Sequence, residues 1–286
     1  MEFHQRPTVA TIHLDRLCHN AKQIIARVPA TQEIMAIVKA NAYGHGAVMV
    51  ARTLEGCGIK KFGVATYAEG VELRDQGMRS EIFVLNGLMA PIAAYLSNRL
   101  CPVIFEMEQL KDIAQYVMNE YREFRICLKF DTGMGRLGFA PSQIDEIMTI
   151  LNKAQQITVV GVLSHLACAD ANVDDLTHSQ RQFTLFSKLK SIVKERGLAS
   201  TKFSLCNSAA LLDGRLEDFD WVRPGIIFYG AYPANPRFEG MIDIKPVLEL
   251  KTKILNLKSI LPQSTVGYGA TFTAQRESRI GIIPIG

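Results

Sequence analysis

What this chain lacks narrows it first. Its six cysteines (Cys18, Cys57, Cys101, Cys127, Cys168 and Cys206) form no Cys-x-x-Cys pair and show no metal-ligand spacing. That argues against a thiolate metal centre, and the apolar neighbours of most of them suggest buried free thiols in a reducing compartment. No metal site is expected. No Gly-x-Gly-x-x-Gly follows the first apolar run, as an open dinucleotide-binding sheet would require. No apolar stretch approaches the ~20 residues of a membrane helix. The N-terminus, Met1-Glu-Phe-His-Gln-Arg-Pro-Thr8, is polar and without the apolar core of a signal peptide. A soluble, cytoplasmic protein with no membrane partner is therefore expected. The net charge of +4 is spread along the chain rather than massed in a stripe, which speaks against nucleic acid as a partner and suits a small anionic ligand.

What is present is ordinary in bulk and ordered in pattern. With 286 residues, 48% hydrophobic and 21% charged, the chain has enough apolar material for one large α/β barrel and an appendage. The pattern is organised around Ala36-Ile-Val-Lys39-Ala-Asn41-Ala-Tyr43-Gly-His45-Gly46. The apolar run from Ile34 to Val38 suits a strand buried on both faces. Lys39 stands at its exit, ahead of residues that cannot continue a strand. Helical spacing precedes this stretch (Leu14, Leu17, Ala21, Ile24, Val28) and follows it (Ala47, Val50, Ala51, Leu54).

Further strands are predicted at 62–65, 82–85, 102–105, 125–130, 157–163, 202–205 and 219–222. Helical patterns alternate with them: 67–76, a short one after Pro91, one around Leu110 to Met118, one capped by Ser142, and the longest over 177–196, stopped by Gly197. Strand then helix, about eight times in ~200 residues, predicts a (β/α)8 TIM barrel. Beyond Gly230 prolines interrupt any helix and β-type runs take over. Residues 11–240 are thus expected to form the barrel and residues 241–286 the beginning of a C-terminal all-β domain, with residues 1–10 pairing with it. Two or three such strands are marginal alone, so a C-terminally truncated version of a longer chain is expected.

In a barrel, chemistry sits at the strands' carboxyl ends. Those positions hold Lys39 and Tyr43, then Lys129, Asp131 and Arg136, then His165, then Asn207 and Ser208, and finally Arg223, Gly225 and Ile226. Asn207-Ser208 opening a helix and Arg223-Pro-Gly225-Ile226 offer hydroxyl and backbone N–H donors of the kind that hold phosphate after the last two strands. Each alone is an ordinary turn or cap. Lys39 alone reads as a partly buried structural lysine, and His45 as support for its turn. A lysine nucleophile combined with a phosphate cradle and no metal constellation points to pyridoxal 5'-phosphate held covalently on Lys39.

The motifs resemble those of the alanine racemases. Ala36 to Gly46 is similar to that family's cofactor-lysine motif. So are Lys129-Phe-Asp-Thr-Gly-Met-Gly-Arg136, Ser164-His165, Cys206-Asn207-Ser208, Val222-Arg223-Pro-Gly225-Ile226 and Gly267-Tyr268-Gly-Ala-Thr271. They occur in the family's order along nearly the whole chain. Barrel-only pyridoxal phosphate proteins would not carry the Tyr268 segment. The resemblance implies a two-base racemisation of L- and D-alanine, with Lys39 and Tyr268 on opposite faces of the substrate's Cα. It implies that Tyr268 comes from the second subunit of a homodimer and is linked by hydrogen bonds to His165 and Arg223. Arg223 would face the cofactor's ring nitrogen and Arg136 the substrate carboxylate. Tyr43, Asn207, Ser208, Gly225 and Ile226 would hold the phosphate. Lys129 would be carbamylated, with Asp131 as the plainer partner for its charge. The product would be D-alanine for peptidoglycan.

The family's chains are expected to continue past Gly286, with a second phosphate-binding tyrosine. A truncated, non-catalytic pyridoxal phosphate-binding barrel is the alternative expectation, and a decarboxylase on the same kind of barrel a third.

Overall fold

The computed structural model describes residues 7–171, 177–216 and 219–285. Leu14–Val247 forms one compact unit; the described residues up to His13 and from Leu248 onward form a second. After a short strand β1 (Val9–Ile12) of the smaller unit, the larger one contributes β2 (Glu33–Ile37), β3 (Lys61–Val64), β4 (Glu81–Val84) and β5 (Leu100–Ile104). They are followed by β6 (Phe124–Lys129), β7 (Ile157–Leu163), β8 (Lys202–Ser204) and β9 (Trp221–Val222). These eight pair in the order β8-β7-β6-β5-β4-β3-β2-β9, every neighbour parallel.

The remaining seam is bridged by Asp220 N–H to the Phe203 carbonyl and Arg223 N–H to the Cys206 carbonyl, both at 2.9 Å. The Asp220 carboxylate also accepts from the Phe203 N–H at 2.8 Å. That side-chain bond replaces a ladder bond that β9, only two residues long, is too short to make. The TIM barrel expected from the alternation is present. The eighth strand covers Trp221 and Val222 of the expected 219–222, and residues 217–218 before it lie outside the described residues.

The strands are nearly continuous apolar runs because both their faces are covered. Inward-pointing Met35, Ile37, Phe83, Val103, Cys127, Leu163 and Trp221 fill the barrel, so its interior is packed core. Trp221 fits because residue 161 is glycine: a Cβ there would lie 2.6 Å from the indole. Outside, amphipathic helices lay down their periodic residues, as in Leu14–Arg27, which buries Leu17, Asn20, Ala21 and Ile24. Asn20 is polar yet wholly buried. Its amide bonds the Phe228 and Lys245 carbonyls and the Lys245 N–H, pinning the segment that leaves the barrel.

Ser142 does not cap the helix expected of it. Pro141–Gln143 makes a 3-10 turn, the α-helix starts at Ile144, and the Gln143 side chain accepts from the Ala140 N–H at 2.8 Å. The glutamine amide reaches back to the N–H ahead of the turn, and no side chain caps the α-helix itself.

In the smaller unit β1 pairs antiparallel with β10 (Leu248–Lys251), and β11 (Asn256–Ile260) is matched in chain order by the later β14 (Ser278–Ile282). Between them β12 (Thr265–Val266) and β13 (Phe272–Thr273) form a hairpin. Among the described residues no helix is long and apolar enough to cross a membrane.

At the amino ends of the strands, Lys61 lies between Glu33 (2.7 Å) and Glu81 (2.8 Å), and Glu81 also meets Arg125 at 2.5 Å. The Trp221 indole N–H donates to Glu33 at 3.0 Å. Burial alone would push the Glu81 carboxyl up, but the two cations outweigh it and hold it below its ordinary value. Lys61→Met leaves two half-buried carboxylates facing each other. We expect it to cost about 2 kcal/mol at pH 7, read from the urea midpoint. Glu81's contribution is complete above the unfolded carboxylate value and disappears as pH falls through its lowered folded value. The gap between variant and wild type should therefore narrow in acid.

Candidate active site

The site begins where β2 ends. Instead of a loop, Lys39 leads into a turn in which Ala40, Asn41, Ala42 and Tyr43 all have φ between 51° and 53°, in the left-handed region. For residues with a Cβ this costs roughly 1–2 kcal/mol each, so the surroundings must compensate. The Ala40 N–H donates to Glu69 at 2.8 Å, and Glu69 also accepts from the Ala65 N–H. Asn41 accepts from the Ala47 N–H at 2.8 Å and so caps the next helix. The Ala42 N–H reaches the Val38 carbonyl and the Gly46 N–H the Asn41 carbonyl. The left-handed winding turns Tyr43 back towards Lys39, whose Nζ lies 5.9 Å from the tyrosine ring centre. Tyr229 buttresses both: its ring is 5.1 Å from that of Tyr43 and 4.6 Å from that of His45, and its hydroxyl donates to the Ile37 carbonyl at 3.0 Å.

Across the barrel mouth, the Gly225 N–H donates to the Ser208 hydroxyl at 3.0 Å. A Cβ on Gly225 would sit 2.9 Å from the Tyr43 hydroxyl. The absent side chain therefore leaves a small polar cradle between Tyr43, Ser208 and the backbone at Gly225. Burial pushes the Tyr43 phenol up and keeps it a neutral donor. Asn207 caps the short helix Ser208–Leu212, accepting from the Ala210 N–H at 3.1 Å.

Lys39, Tyr43, Lys129, Arg136, His165, Asn207, Ser208, Arg223, Gly225 and Ile226 all line one cavity of about 1020 Å³. Of the expected site residues only Tyr268 lies elsewhere. It opens the turn Tyr268–Ala270 between β12 and β13 of the smaller unit, flanked by Gly267 and Gly269 at positive φ, with its side chain fully exposed.

Four of the cavity residues are cationic, and the electrostatics follow. Burial, then Arg223 and Arg136, pull the Lys129 amine down to about 8. Burial brings Arg223 down to about 10. Burial and the guanidinium groups of Arg223 and Arg136 push the His165 imidazole down to about 3, so it is neutral at physiological pH. Asp131 offsets this only in part, its charge raising the Lys129 amine against the other causes. Burial would raise its carboxyl, but the N–H groups of Gly133, Gly135 and Met134 overcome that and hold it low. Its charge is used to shape the loop that carries Arg136. That loop is closed at its neck by Phe139 N–H to the Lys129 carbonyl and Asp131 N–H to the Phe139 carbonyl. Gly138 (φ 146°) is required there, because a Cβ would lie 2.3 Å from the Asp131 nitrogen.

Several contacts that build the site carry no local signal. Arg223 is buried and donates to the Ser204 hydroxyl and the Ser164 carbonyl. Glu69, Tyr229, Thr132 and Gln182 likewise act through contacts far apart in sequence. Only the capping-box spacing Thr66 to Glu69 was available to mark Glu69, and it points to a helix start rather than to the site.

Fold and site together define a (β/α)8 barrel whose mouth gathers cationic side chains beside Lys39. Comparison with known proteins makes this specific. The family profile "Alanine racemase, N-terminal domain" matches residues 12–233, and "Alanine racemase, C-terminal domain" matches residues 247–286. An alanine racemase of Sorangium cellulosum is 38% identical over 98% of this chain and 75% of its own length. The alanine racemase of the D-cycloserine producer Streptomyces lavendulae superposes with a TM-score of 0.91 at 29% identity, over 98% of this chain and 74% of that one. The Bartonella henselae alanine racemase, solved with covalently bound pyridoxal phosphate, superposes with a TM-score of 0.85 at 26% identity, over 98% of this chain and 76% of that one. The chain belongs to the alanine racemase family. It is an isomerase, a racemase of alanine, and the second profile covers the Tyr268 segment that barrel-only pyridoxal phosphate proteins were expected to lack.

Because His165 is held neutral, its ring 15N signals should stay those of an uncharged imidazole from pH 5 to pH 8, a range over which an unperturbed imidazole gains its proton. The unfolded chain takes up a proton that the folded one refuses, so this residue's contribution to stability is full above ~6.5 and declines as pH falls.

Proposed function

We propose that the chain interconverts L- and D-alanine with pyridoxal 5'-phosphate held on Lys39, using Lys39 and Tyr268 as bases on opposite faces of the substrate. The observation that carries this reading is the single cavity joining Lys39 to the Tyr43–Ser208–Gly225 cradle among cationic walls. The residues present fit the cofactor: the space left by Gly225 and the surplus of positive charge both suit a phosphate. When bound, the cofactor withdraws electrons from the substrate and makes its Cα proton removable.

The chain's own residues do the rest. The Tyr43 and Ser208 hydroxyls, Asn207 and the backbone at Gly225 and Ile226 bind phosphate. Arg136 holds the substrate carboxylate. Arg223 is assigned to the ring nitrogen, where a guanidinium, unlike a carboxylate, does not keep that nitrogen protonated. Racemisation needs a proton taken from one face and returned on the other, and one fixed group cannot serve both. Lys39 serves one face. Tyr268, exposed on the smaller unit, serves the other from the second subunit of a homodimer, with neutral His165 as its hydrogen-bonding neighbour. Lys129, brought down to about 8, has about a tenth of its amine neutral at pH 7. That fraction can combine with carbon dioxide, losing a proton, to form a carbamate that neutralises the cluster and orients Arg136. The product supplies D-alanine for peptidoglycan in the cytoplasm.

Borohydride reduction of the pyridoxal phosphate-loaded chain should place the label on the peptide containing Lys39, and Lys39→Ala should abolish it. Tyr268→Phe should retain the label while losing about 10³-fold in D-alanine formation. Label on another lysine, or undiminished turnover in Tyr268→Phe, would overturn the assignment.

Gly225→Ala tests the cradle. Its methyl displaces the Tyr43 hydroxyl, and we expect about tenfold weaker cofactor retention, about 1.4 kcal/mol, measured by fluorescence titration.

A further inference from the structure

Gln182 lies near the start of the helix Thr177–Glu195, wholly buried, with no part in the chemistry described above. Its amide is used at both ends. Oε1 accepts from the Ala167 N–H at 2.9 Å, while Nε2 donates to the His165 carbonyl at 2.9 Å and to the Thr132 hydroxyl at 3.4 Å. The Thr132 hydroxyl pairs with that of Ser164 at 2.8 Å, and the Ser164 carbonyl accepts from Arg223. One side chain thus ties together the loop after β6, which carries Arg136, and the loop after β7, which carries His165. One turn earlier on the same helix, a ring nitrogen of His178 meets the Gly133 carbonyl at 2.9 Å.

The reason a glutamine stands here is chemical. Pairing between β7 and β8 runs out at the Ser164 N–H, bonded to the Ser204 carbonyl at 3.0 Å. One residue on, His165 has left the ladder, and its carbonyl is held by Gln182 instead. A leucine of similar size would leave that carbonyl and the Ala167 N–H half-buried without these partners. A residue's backbone orientation sets the direction of its Cα–Cβ bond, so whatever fixes the His165 carbonyl also aims its imidazole.

We propose that Gln182 is a positioning residue for racemisation, which acts by aiming His165 at the tyrosine base. This rests on the roles proposed above for His165 and Tyr268. A weakened tyrosine slows removal of the α-proton from the enantiomer that faces it, so that enantiomer's substrate deuterium effect grows. For the other enantiomer the slow step becomes proton return, and its substrate deuterium effect shrinks. A prop that merely stabilises the fold moves neither.

The test follows both alanine enantiomers, α-protonated and α-deuterated, in the cofactor-loaded wild type, Gln182→Glu and Gln182→Leu. The glutamate keeps the acceptor for Ala167 and loses the donor facing His165; the leucine loses both. We expect the two isotope effects to move in opposite directions in both variants, with kcat lowered about ten- to a hundredfold and KM changed by less than about threefold. Amide hydrogen exchange should quicken in residues 131–136 and 164–167 and nowhere else in the barrel. Isotope effects that move together or stay put, or exchange quickened throughout the barrel, would reduce Gln182 to a packing group. His165→Asn separates the two claims. If it does not split the isotope effects, the role given to His165 falls. If it splits them and neither Gln182 variant does, the positioning inference alone falls.

Discussion

Four cationic side chains share one half-buried cavity, and their mutual repulsion sets the terms for the whole barrel mouth. Two unit charges a few ångströms apart repel by several kcal/mol in such surroundings, and the chain relieves this only in part. Lys129 is drawn down to about 8 and His165 to about 3. Arg223, too basic to lose its proton at neutral pH, is fixed by the Ser204 hydroxyl and the Ser164 carbonyl. The one carboxylate on the adjoining loop, Asp131, is committed to backbone N–H groups. A cavity left positive in this way suits anionic ligands.

Such a site needs a rigid support. The left-handed turn from Ala40 to Tyr43 stores several kcal/mol of unfavourable backbone conformation. Glu69, Asn41 and Tyr229 hold it from three directions. Released from them, the chain after Lys39 would relax towards ordinary turn geometry and carry Tyr43 away from Gly225. Four consecutive left-handed residues fall in the segment that carries Lys39 and Tyr43 into one cavity.

The barrel divides its labour by end. At the amino ends of the strands, charges are matched: Lys61 and Arg125 against Glu33 and Glu81, with the Trp221 indole bonded in. At the carboxyl ends cations predominate: Lys39, Lys129, Arg136 and Arg223 line the cavity, with Asp170 also on its wall. Packed apolar layers around Phe83, Val103 and Trp221 separate the two. Stability is concentrated at one rim, and the other can carry unbalanced charge.

Much of this is legible in the sequence. The strands read as apolar runs because burial on both faces leaves no room for alternation, and each helix shows its inward stripe. Lys39, Lys129, Arg136, His165, Ser208 and Arg223 could be picked out because a parallel barrel places every strand exit on the same rim. The helix cap expected at Ser142 is absent because the chain first makes a 3-10 turn over Pro141–Gln143, which places the serine inside the turn rather than ahead of the helix. Other features depend on groups 15 to 59 residues apart meeting in space, as in the bonds of Gln182 to Ala167 and of Arg223 to Ser164. Local periodicity records which face of an element is buried, and the order of strands records which loops share a rim. The left-handed turn, the amide behind His165 and the lowered proton affinity of Lys129 were decided only by the tertiary structure. Hydrogen-bond geometry and desolvation are properties of assembled neighbours, and no single stretch of chain contains them.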